Sequence, residues 1–154
     1  MLSCWPGCPK NAGVKSVPPV RRVLLVDDEP LVRNVFRRWL IRSGFAVVEA
    51  GTVAAACEQI EQAHGRFDLV ITDYRMPGLS GCDLVSWVRA RWASLPIIMI
   101  TAHADESLCG SRPDLLIEKP VTGDALGRAI QAVLGDLGGQ AHAPGRSSPS
   151  APTP

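Results

Sequence analysis

Leu69-Val70-Ile71-Thr72-Asp73-Tyr74-Arg75-Met76-Pro77-Gly78 decides the architecture of this chain. Its opening run is apolar and rich in β-branched residues, the pattern of a parallel strand buried on both faces between layers of helices. The run stops at a carboxylate, Asp73, and Pro77 and Gly78 then mark a loop. Asp73 therefore belongs at the carboxyl edge of a sheet, where open α/β folds place their ligands.

A second apolar strand, Arg22-Val23-Leu24-Leu25-Val26, also runs straight into acid, here Asp27-Asp28-Glu29, and a helix follows from Pro30. With the two strands as neighbours, Asp27, Asp28 and Asp73 share one pocket. Like charges so close repel by roughly several kcal/mol in a poorly solvated site. A cation relieves that repulsion. Carboxylates with no His or Cys nearby make a hard oxygen site, which favours a water-retaining Mg2+ over zinc or copper.

Outward from these strands, helical and strand patterns alternate. Leu31, Val35, Trp39 and Leu40 recur at helical spacing, with Arg33, Arg37, Arg38 and Arg42 on the opposite face and Gly44 as the stop. Charges opposite a buried stripe are ordinarily a solvated face, so this basic row is not read as a nucleic-acid surface. Phe45–Glu49 is a second strand. Val53–His64 is a second helix with Val53, Ala56, Cys57 and Ile60 on one side, closed by Gly65. A helix from about Cys82 to Arg91 turns Leu84, Val85 and Val88 inward, and Pro96–Ile100 is a strand ending in Thr101-Ala102-His103. Gly110 and Pro113 interrupt the stretch from Ala104 to Pro113, which leaves room for only a short or irregular helix. Asp114–Glu118 is the fifth strand, and Gly123–Leu134 the last helix, with Leu126, Ile130, Val133 and Leu134 inward. The alternation predicts an α/β fold, a five-stranded parallel sheet with right-handed crossovers and helices on both faces.

Composition narrows the function. The 154 residues, 46% hydrophobic, fit one ordinary domain. We expect residues 1–19, with Pro6, Pro9, Pro18 and Pro19, to be a disordered leader, 20–135 the folded domain, and 136–154 a disordered tail of Gly, Ala, Ser and Pro. A net charge of +1 gives no general attraction to nucleic acid or to anionic membrane. Cys4, Cys8, Cys57, Cys82 and Cys109 are odd in number and scattered, which points to incidental thiols in a reducing compartment. No apolar run is long enough for a membrane span and no signal-peptide core is present, so a cytoplasmic location is expected.

Taken singly, each polar group has a plain structural explanation: Asp28 or Glu29 starting a helix, Thr101 ending a strand, Lys119 a surface amine. Together they form a pattern. Acids end strands one and three, a hydroxyl ends strand four and a lysine ends strand five, all at one edge. With these pieces the chain closely resembles the receiver domains of two-component response regulators. The likeness is carried by Val26-Asp27-Asp28-Glu29, Asp73-Tyr74-Arg75-Met76-Pro77-Gly78 with Gly81, Thr101-Ala102 and Lys119-Pro120, and spans about Arg21 to Leu134.

The resemblance implies a flavodoxin-like sheet of order 2-1-3-4-5, with Asp73 as phosphoacceptor. It implies that Asp27, Asp28, Asp73 and the Arg75 carbonyl hold Mg2+, that Thr101 and Lys119 contact the phosphoryl group, and that the Lys119-Pro120 bond is cis. The partners it implies are a sensor histidine kinase or histidine phosphotransfer protein and a downstream protein target, with homodimerisation left open. Two departures bear on signalling. Leu116 stands where such domains commonly carry a switch aromatic, and the interval from Thr101 to Lys119 is about one helical turn short.

The expectation is thus a single-domain response regulator that assists its own phosphorylation and dephosphorylation without being an enzyme, since nothing after Leu134 resembles an effector domain. Two other classes compete. An aspartyl-phosphate phosphatase of the haloacid dehalogenase type needs a second acid two residues past the nucleophile, where this chain has Arg75. A receiver-shaped binding scaffold with degenerate switching is suggested by Leu116.

Overall fold

The computed structural model describes residues 19–103 and 110–135. Most of the expected leader, the expected tail, Cys4, Cys8 and Cys109, and residues 104–109 of the short-helix stretch lie outside the described residues. From Gly110 to Asp114 the chain carries no helix.

Near-continuous apolar runs build the centre of the molecule. β1 (Arg22–Val26), β3 (Leu69–Asp73) and β4 (Ile97–Thr101) are buried from both sides, apart from Arg22. β2 (Ala46–Ala50) and β5 (Leu115–Glu118) form the two edges and are more exposed. All pairs are parallel, in the order β2-β1-β3-β4-β5. Side chains alternate across the sheet, so Leu24, Val26, Val70, Ile97 and Met99 feed one core while Val23, Leu25, Leu69, Ile71, Ile98 and Ile100 feed the other.

Helices α2 (Val53–Gln62) and α3 (Gly81–Arg91) cover the first core. They contribute Val53, Ala56 and Ile60, and Leu84, Val85 and Val88. Helices α1 (Pro30–Arg42) and α4 (Gly123–Leu134) cover the second, with Phe36 and Leu40, and Leu126, Ala129 and Ile130. Side chains begin three of these helices. The Thr52 hydroxyl accepts from Ala55 N and the Thr122 hydroxyl from Ala125 N. Ser80 and Asp83 form a reciprocal capping box, which satisfies amides that the first turn leaves unpaired.

One expectation fails on α1. Helical spacing puts Leu31 and Val35 in its buried stripe, but they are 77% and 65% exposed. The helix instead buries Phe36 and Leu40 with Val32 and Trp39 beside them. Two apolar lines lie side by side on this helix, both at helical spacing. The one holding Phe36 wins because an aromatic ring removes more apolar area from water than a valine. Trp39 then lies across α4, where a Cβ at Gly123 would fall 2.2 Å from its Nε1 and one at Gly127 would meet its ring at 3.2 Å.

Two arginines of the row on α1 are paired with an acid of the sheet. Arg33 and Arg37 both reach Glu49 of β2, at 3.2 and 3.0 Å. Among the described cysteines, Cys57 is free and half-buried. Cys82, expected as an incidental thiol, is disulfide-bonded.

Candidate functional site

The carboxyl edge of the sheet gathers the polar residues that the strands end on. Asp73 closes β3 and Thr101 closes β4, and both are buried, Asp73 being only 6% exposed. Asp27 follows β1 directly and is 4% exposed. Lys119 follows β5. Its backbone N–H donates to the Thr101 carbonyl at 2.7 Å, which brings its side chain back over the edge. Lys119 Nζ lies 2.6 Å from Asp73 Oδ1. The Lys119–Pro120 peptide is cis.

Asp27 is tied at every polar point of its backbone and by its side chain. Its N–H donates to Ala50 O at 3.2 Å, its Oδ1 accepts from Glu29 N at 2.8 Å, and its carbonyl accepts from Arg33 Nη1 at 2.6 Å. Burial pushes the Asp27 carboxyl above its ordinary range. The Glu29 amide opposes this, the Asp73 charge adds to it, Lys119 opposes it, and Asp28 adds a smaller push. For Lys119 burial pulls downward, yet the hydrogen bond to Asp73 and the charges of Asp73, Asp27 and Glu29 together hold the ammonium above its usual value. The pocket is thus two withdrawn carboxylates facing one ammonium.

Asp28 and Arg75 stand differently from the buried pair. Both are exposed, and no three His, Cys, Asp or Glu side chains converge among the described residues. Asp73 and Asp28 both act electrostatically on the Asp27 carboxyl, so three acids share this edge. Carboxylate oxygens with waters for the remainder suit Mg2+, which keeps several waters when bound by protein. The fit rests on the mutual repulsion of these acids, which the Lys119 ammonium offsets only in part, Asp27 staying above its ordinary range.

Thr101 ends β4 at the same edge, and Leu116 lies two residues before it in the β4–β5 register. The Thr101 hydroxyl donates to His103 O at 3.1 Å and accepts from His103 N at 3.3 Å. Leu116 is half-buried opposite Met99, against the α2/α3 core.

Gly81 has a steric role that motif reading did not reveal. A Cβ there would sit 2.4 Å from the Asp73 carbonyl oxygen and 3.1 Å from Tyr74 Cα. Only a glycine lets α3 start this close to the strand end, where its N–H donates to Tyr74 O at 2.9 Å. Gly81→Ala is expected to displace the Asp73 backbone and cost about 1–3 kcal/mol, as overpacking does, measured by urea unfolding.

The comparisons with known proteins agree with this geometry. The model of the response regulator receiver domain matches residues 23–131. The chemotaxis protein CheY of Pseudomonas aeruginosa is 31% identical over 125 residues, a span covering 77% of this chain and 99% of CheY. The C4-dicarboxylate transport transcriptional regulatory protein DctD of the same organism is 32% identical over 120 residues, covering 73% of this chain but only 25% of DctD. Among solved structures, response regulator protein TrrA of Thermotoga maritima, in complex with Mg2+ and BeF, superposes with a TM-score of 0.68 at 29% identity, covering 73% of this chain and 98% of TrrA. The chain belongs to the response regulator receiver domain family.

Proposed function

We propose that this receiver domain accepts a phosphoryl group on Asp73 from a phosphohistidine of a sensor kinase or histidine phosphotransfer protein, in a Mg2+-dependent reaction, and signals through the surface that changes as a result. The observation that carries this reading is the buried Asp73 carboxylate held 2.6 Å from Lys119 and beside Asp27. Asp73 forms the new P–O bond as the donor's P–N bond breaks, the imidazole nitrogen keeping the electron pair, and an acyl phosphate results. Lys119 faces the transferring oxygens and offsets their charge. Asp27, Asp28, Asp73 and the Arg75 carbonyl would hold Mg2+, which would supply the remaining countercharge. For Thr101 to bond the new phosphoryl oxygens, its hydroxyl must leave the His103 backbone, which moves the start of the loop after β4.

A test uses the wild-type chain with a small phosphodonor. With MgCl2 the intact mass rises by one phosphoryl group, which hydroxylamine removes. With EDTA in place of MgCl2 the mass stays as it was. A chain that never takes up the group is instead the binding scaffold that Leu116 suggests.

The exposed part of α1 suits the donor protein. Leu31 and Val35 present apolar surface next to a 410 Å³ depression lined by Glu29, Val32, Val35, Phe36, Lys119, Pro120 and Val121. A helix of the donor laid here would bring its phosphohistidine to Asp73. Leu31→Glu is expected to slow transfer from the cognate phosphorylated donor about tenfold or more, while labelling by a small phosphodonor stays at the wild-type rate.

A further inference from the structure

Resting on the Mg2+ reading above, we infer that Arg33 is a positioning residue of the acidic pocket: its guanidinium fixes the Asp27–Asp28 peptide from behind, and so holds both carboxylates ready for a divalent cation.

The guanidinium forks. Nη1 donates to the Asp27 carbonyl at 2.6 Å, while Nε reaches Glu49 Oε1 at 3.2 Å. Arg37 takes the other Glu49 oxygen at 3.0 Å. Glu49 is paired with Leu25 in the β1–β2 register, one step before the strands end, so the fork spans α1, β2 and the exit of β1. A surface ion pair by itself contributes little, and the Glu49 contact could be no more than that. The bond to Asp27 is another matter. It is the shorter arm, it is charge-assisted, and it ends on the carbonyl of a buried acid. That carbonyl and the Asp28 N–H share one rigid plane. The orientation of the plane sets the directions in which the Asp27 and Asp28 side chains depart. Gly51 lies beside the guanidinium, a Cβ there falling 3.4 Å from Nη1, at van der Waals contact.

Outer groups that orient metal ligands commonly change metal affinity by about 10–100-fold when removed. Arg33→Ala in the full chain is therefore expected to weaken Mg2+ binding about tenfold, as read by calorimetric titration with MgCl2. It should also raise the half-saturating Mg2+ for labelling by a small phosphodonor, while the rate at saturating Mg2+ returns to the wild-type value. Arg33→Lys should fall between, because a single ammonium reaches the carbonyl or Glu49 but lacks the fork. Glu49→Gln, which keeps an acceptor for Nε, should bind nearly as wild type. A residue that only braces the fold would lower the melting temperature in EDTA yet leave Mg2+ affinity unchanged, and that result overturns the inference. So does wild-type affinity in Arg33→Lys, should the alanine variant not fold. If the wild-type chain itself ignores MgCl2, the metal reading falls, and this inference falls with it.

Discussion

Asp73→Asn loses all labelling by a phosphodonor, with the fold intact. The amide is nearly isosteric, so the cores on both sides of β3 are undisturbed, and Lys119 keeps an oxygen to which it can donate. What disappears is the nucleophile: an amide oxygen forms no stable acyl phosphate, and no other described carboxylate is both buried and in contact with the Lys119 ammonium. Intact-mass spectrometry after incubation with a small phosphodonor and MgCl2 checks this, with circular dichroism as the control for folding. A variant still labelled to the wild-type extent would move the chemistry to a different residue.

Asp27→Asn separates function from stability. Burial and the neighbouring Asp73 charge both disfavour ionised Asp27 in the folded chain. Removing that charge should stabilise the metal-free protein at neutral pH by on the order of 1 kcal/mol, a rise of a few degrees in melting temperature. It should also abolish most of the extra stabilisation that MgCl2 gives the wild type. The pH dependence has a definite sign. A carboxyl whose folded value lies above its ordinary 3.8 is fully stabilising below that pH. As pH rises, the unfolded chain releases this proton first, so stability falls until the folded protein's own carboxyl has ionised. The asparagine variant should lack that decline. Thermal melts across mildly acidic pH, with EDTA and with MgCl2, give both measurements.

Much of this molecule is legible in its sequence, because the strands that matter are buried twice over. Leu69–Thr72 and Val23–Val26 have little choice but to sit between helices, and chain direction then puts Asp27, Asp73, Thr101 and Lys119 on one edge. Helix α1 was less legible. Its adjacent apolar lines satisfy the same spacing, and only the packing of Phe36 and Trp39 against α4 selects between them. The Arg33 fork was not legible at all. It depends on the β1–β2 register bringing Glu49 beside the exit of β1, a pairing between residues that no local pattern joins. Likewise, motif order alone does not reveal that the two neighbouring acids are unequally covered, Asp27 being buried and Asp28 exposed.

The indole of Trp39, lying over Gly123 and Gly127, closes the seam between the first and last helices with a flat plate against bare backbone. A side chain at either glycine would have to push that plate away. A protein pressing on the outer face of α1 would therefore be felt, through that plate, at the beginning of α4, four residues beyond Lys119. Were the donor to dock on α1 as proposed, Trp39 is the side chain through which its arrival would reach the start of α4.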